Sequence, residues 1–98
     1  MKSNSNILLT DVVKGTATNV EGVKLRYALV PFFKENKKVN VSLKNATPMS
    51  SSFLNSSIGE IVEEFGIEKF KNLISFTDFT KFQARQLQGY FKILQDFA

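Results

Sequence analysis

Hydrophobic and polar positions alternate with two different periods along this chain, and the switches between them mark its elements. Val39, Val41 and Leu43 alternate with Asn40, Ser42 and Lys44. A period of two predicts a strand with one apolar face. From Ser50 to Phe65 the period changes: Phe53, Leu54, Ile58, Ile61, Val62 and Phe65 fall at steps of three and four, the stripe of an amphipathic helix. Ser50, Ser51 and Ser52 stand at its start, where hydroxyls accept from free backbone N–H groups, and Gly66 follows its end. Gly59 inside this helix costs about 1 kcal/mol against Ala, and close packing of helix on sheet is the expected compensation.

The remaining segments follow the same reasoning. Ile7 to Val13 is apolar and rich in β-formers and is expected to be a strand, with Thr16–Thr18 as a short second strand after Gly15. Asn19 or Thr18 is placed to cap a helix carrying Val20, Val23, Leu25, Tyr27, Ala28 and Leu29. Pro31 is expected to end or kink it near Val30, with a further turn over residues 31–35. After a loop over residues 44–48 and the helix over 50–65, Ile67 to Asn72 reads as a helical turn and Leu73 to Phe76 as a core strand. Thr77 or Asp78 then caps a last helix reaching about Asp96. Its core face is expected to be Phe79, Phe82, Leu87, Tyr90, Phe91, Leu94 and Phe97. Strands alternating with helices imply βαβ crossovers, which are right-handed in nearly all cases and give a largely parallel sheet. The fold class is therefore a single small α/β domain over residues 1–98, with no internal repeat and no linker.

Composition narrows the function. The chain is 98 residues long, enough for one modest core, and its 10 Phe supply large apolar area without polar atoms to satisfy. It holds no Cys and no His, which removes disulfides, thiolate nucleophiles, zinc sites built on those residues and any catalytic imidazole. The N-terminal stretch is too short and too polar for a signal peptide, and no run approaches the length of a membrane span. A cytoplasmic protein with no cofactor and no membrane partner is expected. The net charge of +4 is spread along the chain, and Lys37–Lys38 is the only adjacent basic pair. A solvated surface explains that spread as well as a nucleic-acid footprint does.

Enzyme chemistry finds little support. Glu60, Glu63 and Glu64 share one helix, where they read as a solvated acidic face. The five glycines form no phosphate-binding fingerprint, and no serine has a histidine base. A non-enzymatic binding role is expected. The start of the helix at Ser50 is the informative place. Free N–H groups and the helix dipole favour an anion there. A phosphate on one of these serines would be tolerated by the fold and would add a charge of about −1.5 to −2. Simple capping explains the same serines.

The run KKVNVSLKNATPMSSSFLNSSIGEIVEEFG, residues 37 to 66, resembles the STAS-like domains of the DUF4325 type, which are related in plan to anti-sigma-factor antagonists. The shared features are the strand, the loop, Ser51-Ser52-Phe53-Leu54, Gly59 and Gly66, with Gly15 and residues 21 to 29 resembling the family's first helix. The resemblance implies a mixed or mostly parallel sheet of about four strands with helices packed on it, and a role in protein–protein signalling. In the antagonists an Asp-Ser-Ser-Gly loop carries a phosphorylated serine, which Ser51 matches, with Ser52 as its neighbour. Two positions depart from that pattern: Ser50 stands in place of the Asp and Phe53 in place of the Gly. The implied partner is a histidine-kinase-like ATPase or a regulator, met by Ser50, Ser51, Ser52 and Asn55, with Phe53 and Leu54 anchoring the helix. An alternative partner is nucleic acid, met by Lys81, Arg85 and Lys92, which share one face of the last helix.

Overall fold

The computed structural model describes residues 5–96. Strand β1 (Ser5–Leu8), β2 (Val39–Ser42) and β3 (Ile74–Thr77) form a sheet of order β1-β2-β3, parallel throughout. Three strands stand here among the described residues where about four were expected. Side chains paired across a parallel sheet share a face. Ile7, Val41 and Phe76 form one row toward the core, beside buried Val39 and Ile74. The opposite face carries Asn6, Asn40 and Ser75 in one row and Leu8, Ser42 and Thr77 in the next. A parallel sheet is usually covered on both faces. Here the outer face satisfies itself: Asn40 donates to the Thr77 hydroxyl at 2.9 Å, and Ser75 donates to the Asn40 carbonyl at 3.0 Å.

The first strand is shorter than its sequence suggests. After Leu8 the chain turns into a short helix, α1 (Leu9–Val12). A strand continued to Val13 would place Asp11 on the same face as Leu9 and Val13. One helical turn buries Leu9 and Val13 together and leaves Asp11 exposed. The expected strand at Thr16–Thr18 does not form either. The Thr16 side chain is buried against the loop before the serines, and Thr18 accepts from the Glu21 N–H as the cap of helix α2 (Asn19–Lys34).

Pro31 neither ends nor shortens α2, which runs on to Lys34. Proline removes one backbone hydrogen bond, but continuing the helix sets Leu25, Leu29 and Phe33 on one face, all buried. Burying Phe33 alone is worth about 2 to 3 kcal/mol, which offsets the loss. Pro31 itself faces solvent. Phe33 stacks on Phe70 at 5.7 Å and lies 5.4 Å from Phe65, and Phe70 meets Phe91 at 5.7 Å. This aromatic cluster joins the helices to one another.

The second crossover begins with helix α3 (Ser51–Leu54), continues through a wider π-helical turn (Asn55–Gly59) and resumes as α4 (Glu60–Phe65). The Ser56 and Ser57 hydroxyls donate back to the carbonyls of Ser52 and Phe53, a competition that loosens regular helical bonding. Gly22 of α2 crosses this turn so closely that a Cβ there would lie 2.7 Å from the Phe53 carbonyl oxygen. Gly59 is compensated by helix-on-helix packing, not by the sheet: its Cβ would stand 2.5 Å from the Tyr90 hydroxyl of the last helix. Gly66, at φ +94°, ends α4 and opens α5 (Ile67–Leu73).

Helix α6 (Lys81–Asp96) starts later than either Thr77 or Asp78 would allow. Strand β3 extends through Thr77, and Asp78 turns the chain at φ 59°. Thr80 supplies the cap. Its hydroxyl accepts from the Gln83 N–H at 3.1 Å, while the Gln83 side-chain carbonyl accepts from the Thr80 N–H at 2.9 Å, a reciprocal capping box. Leu87 is buried and Tyr90, Phe91 and Leu94 are half-buried, as the stripe predicts. Phe79 and Phe82 are not part of the core: they are 46% and 56% exposed. The later helix start leaves Phe79 outside the helix, and the buried line of α6 runs through Gln83 and Leu87, so Phe82 falls beside it and not on it. Phe97 lies outside the described residues. Among the described residues no helix is long and apolar enough to cross a membrane.

Candidate functional site

The loop between β2 and α3 is held from two sides before it reaches the serines. On one side stands Thr16. Its hydroxyl lies 2.9 Å from the Thr47 carbonyl, 2.8 Å from the Pro48 carbonyl and 2.6 Å from the Thr47 hydroxyl. Its single proton serves one of these acceptors at a time. On the other side stand two glutamines of α6. Buried Gln83 donates to the Ala46 carbonyl at 2.9 Å. Gln86 accepts from the Met49 N–H at 3.0 Å and donates to the Met49 carbonyl, so one side-chain amide pairs both main-chain groups of a buried residue.

Ser50 is fully engaged by this frame. Its N–H donates to the Thr16 carbonyl at 2.9 Å, and its hydroxyl donates to the Ala17 carbonyl at 2.8 Å. The same oxygen accepts from the Phe53 N–H at 3.1 Å, which makes Ser50 the N-cap of α3. Ser and Asp are comparable caps, so the departure from Asp keeps this local role. Phe53, the other departure, is fully buried with Leu54 beside it. Ser51 and Ser52 follow the cap and are exposed. Asn55 is exposed as well, and its side-chain carbonyl accepts from the Tyr90 hydroxyl at 2.7 Å. Burial first, and the charge of Glu60 second, hold the Tyr90 phenol above its ordinary pKa.

A shallow groove of about 290 Å³ separates α3 from α6. Ser51 and Leu54 line one wall, and Arg85, Gly89 and Ile93 line the other. Ser51 and Arg85, which sequence reasoning assigned to different partners, therefore border one feature. Lys81 and Lys92 are exposed along the same face of α6 as Arg85. Phe82, one position round the helix from Lys81, is exposed too, so this face does carry an aromatic side chain. Sequence reasoning missed Thr16, Gln83, Gln86 and Tyr90. The Thr80-to-Gln83 spacing was a readable cap signal, whereas the amide clamps on Met49 and Ala46 have no local signature.

A parallel sheet backed by helices, with a strand leading through a loop into a serine-capped helix, defines a STAS-like α/β domain. The family model described as a STAS-like domain of unknown function (DUF4325) matches residues 21–82, more than half of the chain, and the chain belongs to that family. No curated protein and no solved structure matches it significantly.

Proposed function

We propose that this domain is a non-catalytic regulatory module that binds a protein partner through Ser51, Ser52 and Asn55, and that phosphorylation of Ser51 switches the binding. The supporting observation is the division of labour among the serines. Ser50 holds the helix start and the loop, while Ser51 is exposed across a shallow groove from Arg85. A phosphate on Ser51 leaves the cap intact and adds its charge to a groove that a guanidinium also borders, the side chain best suited to it. The partner class is a histidine-kinase-like ATPase or a regulator acting in the cytoplasm.

Phosphosite mapping of the chain from its own cell, with pull-downs by Ser51→Ala and Ser51→Glu, tests this reading. A phosphate on Ser51, with an ATP-binding partner retained by S51A and lost with S51E, supports it. An unmodified chain whose partners ignore both substitutions refutes it. A second reading, nucleic-acid binding through Lys81, Arg85 and Lys92, is favoured by their common exposed face beside Phe82. It requires affinity for random-sequence DNA that falls steeply with salt.

A further inference from the structure

Strand β3 is at an edge of the sheet. Leu43 donates to the Thr77 carbonyl at 2.8 Å, so Thr77 and Ser75 turn their main-chain groups toward β2. Alternation then turns those of Ile74 and Phe76 outward. The Ile74 N–H is taken by the Phe70 carbonyl, which closes α5. The N–H and C=O of Phe76 face an edge where no fourth strand lies among the described residues.

A groove of about 330 Å³ runs beside that edge. Ile74 and Phe76 of the strand, Phe79 after it, and Leu87 and Phe91 of α6 give it apolar walls. Among the described residues Lys71 is the one charged side chain that lines it, and no carboxylate does. Gln88 forms its rim on α6, with Arg85 and Lys92 exposed three residues before it and four after. Free main-chain groups, an apolar trough and a cationic rim thus lie side by side.

We propose that this edge binds an extended acidic peptide segment of another protein, which adds beside β3 as a further strand. Its main chain pairs with Phe76. Alternate side chains enter the apolar groove, and those between continue the polar face that carries Asn40, Ser75 and Thr77. A carboxylate of the segment meets Lys71. A helix or a small amphiphile would leave the Phe76 main chain unpaired, and a basic segment would face the lysine. The groove is lined by Gln88 and Phe91, and the one beside Ser51 by Gly89 and Ile93; Arg85 lies between the two, whereas Lys71 and Phe76 belong to this one alone and separate it from the serine reading.

A random linear peptide library displayed on phage, selected against the full chain, provides the probe. Enriched peptides should alternate apolar and polar residues and carry an excess of Asp and Glu. Their synthetic forms should protect the Phe76 amide from hydrogen exchange by about tenfold or more. Lys71→Glu, an exposed substitution, should weaken binding by about fivefold, and Gln88→Lys should strengthen it. Ala84→Trp, which fills the groove, should abolish binding while circular dichroism shows an unchanged fold. The proposal is overturned by a selection that enriches nothing, or that enriches basic or helix-patterned peptides. It is equally overturned if bound peptides leave the Phe76 amide unprotected, or if the free chain is a dimer that already protects it.

Discussion

Two glycines in the long helices should respond to the same substitution with opposite signs. In an exposed helix interior, Gly→Ala stabilises by about 0.8 to 1 kcal/mol, because alanine loses less backbone freedom on folding. Gly89 meets that condition: it is exposed within α6, and a Cβ there has no neighbour within 4 Å. Gly22 does not. Its Cβ would sit 2.7 Å from both the Phe53 carbonyl oxygen and the Ser56 Cβ, and the first of these is backbone. Relief requires α2 and the π-helical turn to separate, and overpacking of this kind costs about 1 to 3 kcal/mol. The propensity gain recovers only part of that, since Gly22 lies in the first turn and a half of α2. Gly22→Ala should therefore destabilise by about 1 to 2 kcal/mol and Gly89→Ala should stabilise by nearly 1. For a domain of this size, 1 kcal/mol moves the melting temperature by about 4 to 8 °C. Urea and thermal unfolding followed by circular dichroism read both effects. A Gly22→Ala protein as stable as the parent would show that the helices do not cross this closely, and the account of that interface would fail.

Other perturbations separate frame from surface. Ser50→Ala removes a cap and the donor to the Ala17 carbonyl, and should cost about 1 to 2 kcal/mol. Ser51→Ala and Ser52→Ala should stay within about 0.5 kcal/mol in the same urea titration, and a large loss from either would place that serine in the frame. Gln86→Leu unpairs both main-chain groups of Met49 and should cost about 2 kcal/mol, with faster amide exchange at Met49 as the site-specific sign. The Glu21 carboxyl accepts from the Lys14 backbone N–H, its largest influence, and pairs with Lys24, which together hold its pKa below the ordinary 4.5. Its contribution is thus present above the unfolded value and is lost as pH falls through the folded one. Glu21→Gln should flatten the acid limb of stability below about pH 4.5. The Tyr90 phenol, raised above 10.0, works in the other direction. It favours folding below its unfolded value and loses that contribution as pH rises through the folded one, which its ultraviolet titration would show.

Much of the fold is legible in local periodicity, and the exceptions share a cause. Val39, Val41 and Leu43 admit only one reading; the stripe from Phe53 to Phe65 reads as one continuous helix, and the π-helical turn at Asn55–Gly59 that interrupts it leaves no mark in the periodicity. Leu9 to Val13 admits two, because a strand and one helical turn both bring Leu9 and Val13 to one side; only the fate of Asp11 decides between them. At Pro31 a local rule meets a tertiary demand, and the burial of Phe33 prevails. Phe79 fits a core stripe until the true cap, Thr80, leaves it outside the helix, and Phe82 gives up the core position to its neighbour Gln83, whose amide is needed by the loop. At the candidate site the serine run and its cap were legible because capping is local. The clamps by Thr16, Gln83 and Gln86 were not, because each joins residues more than thirty positions apart.

The sheet's connectivity governs the order in which the chain organises itself. Ser5 pairs with Val39, and Val39 with Ile74. No rung of either ladder can form before a loop of roughly thirty-five residues has closed, an entropic cost that local structure does not carry. The helices between the strands form from local bonds without such a closure, whereas the meeting of α2 and α4 through Phe33 and Phe65 carries a closure of similar length. During synthesis β1 and β2 can pair before β3 has emerged, but the core row through Phe76 stays incomplete until the second crossover closes. Val41 therefore lacks its partner Phe76 until the second crossover has closed.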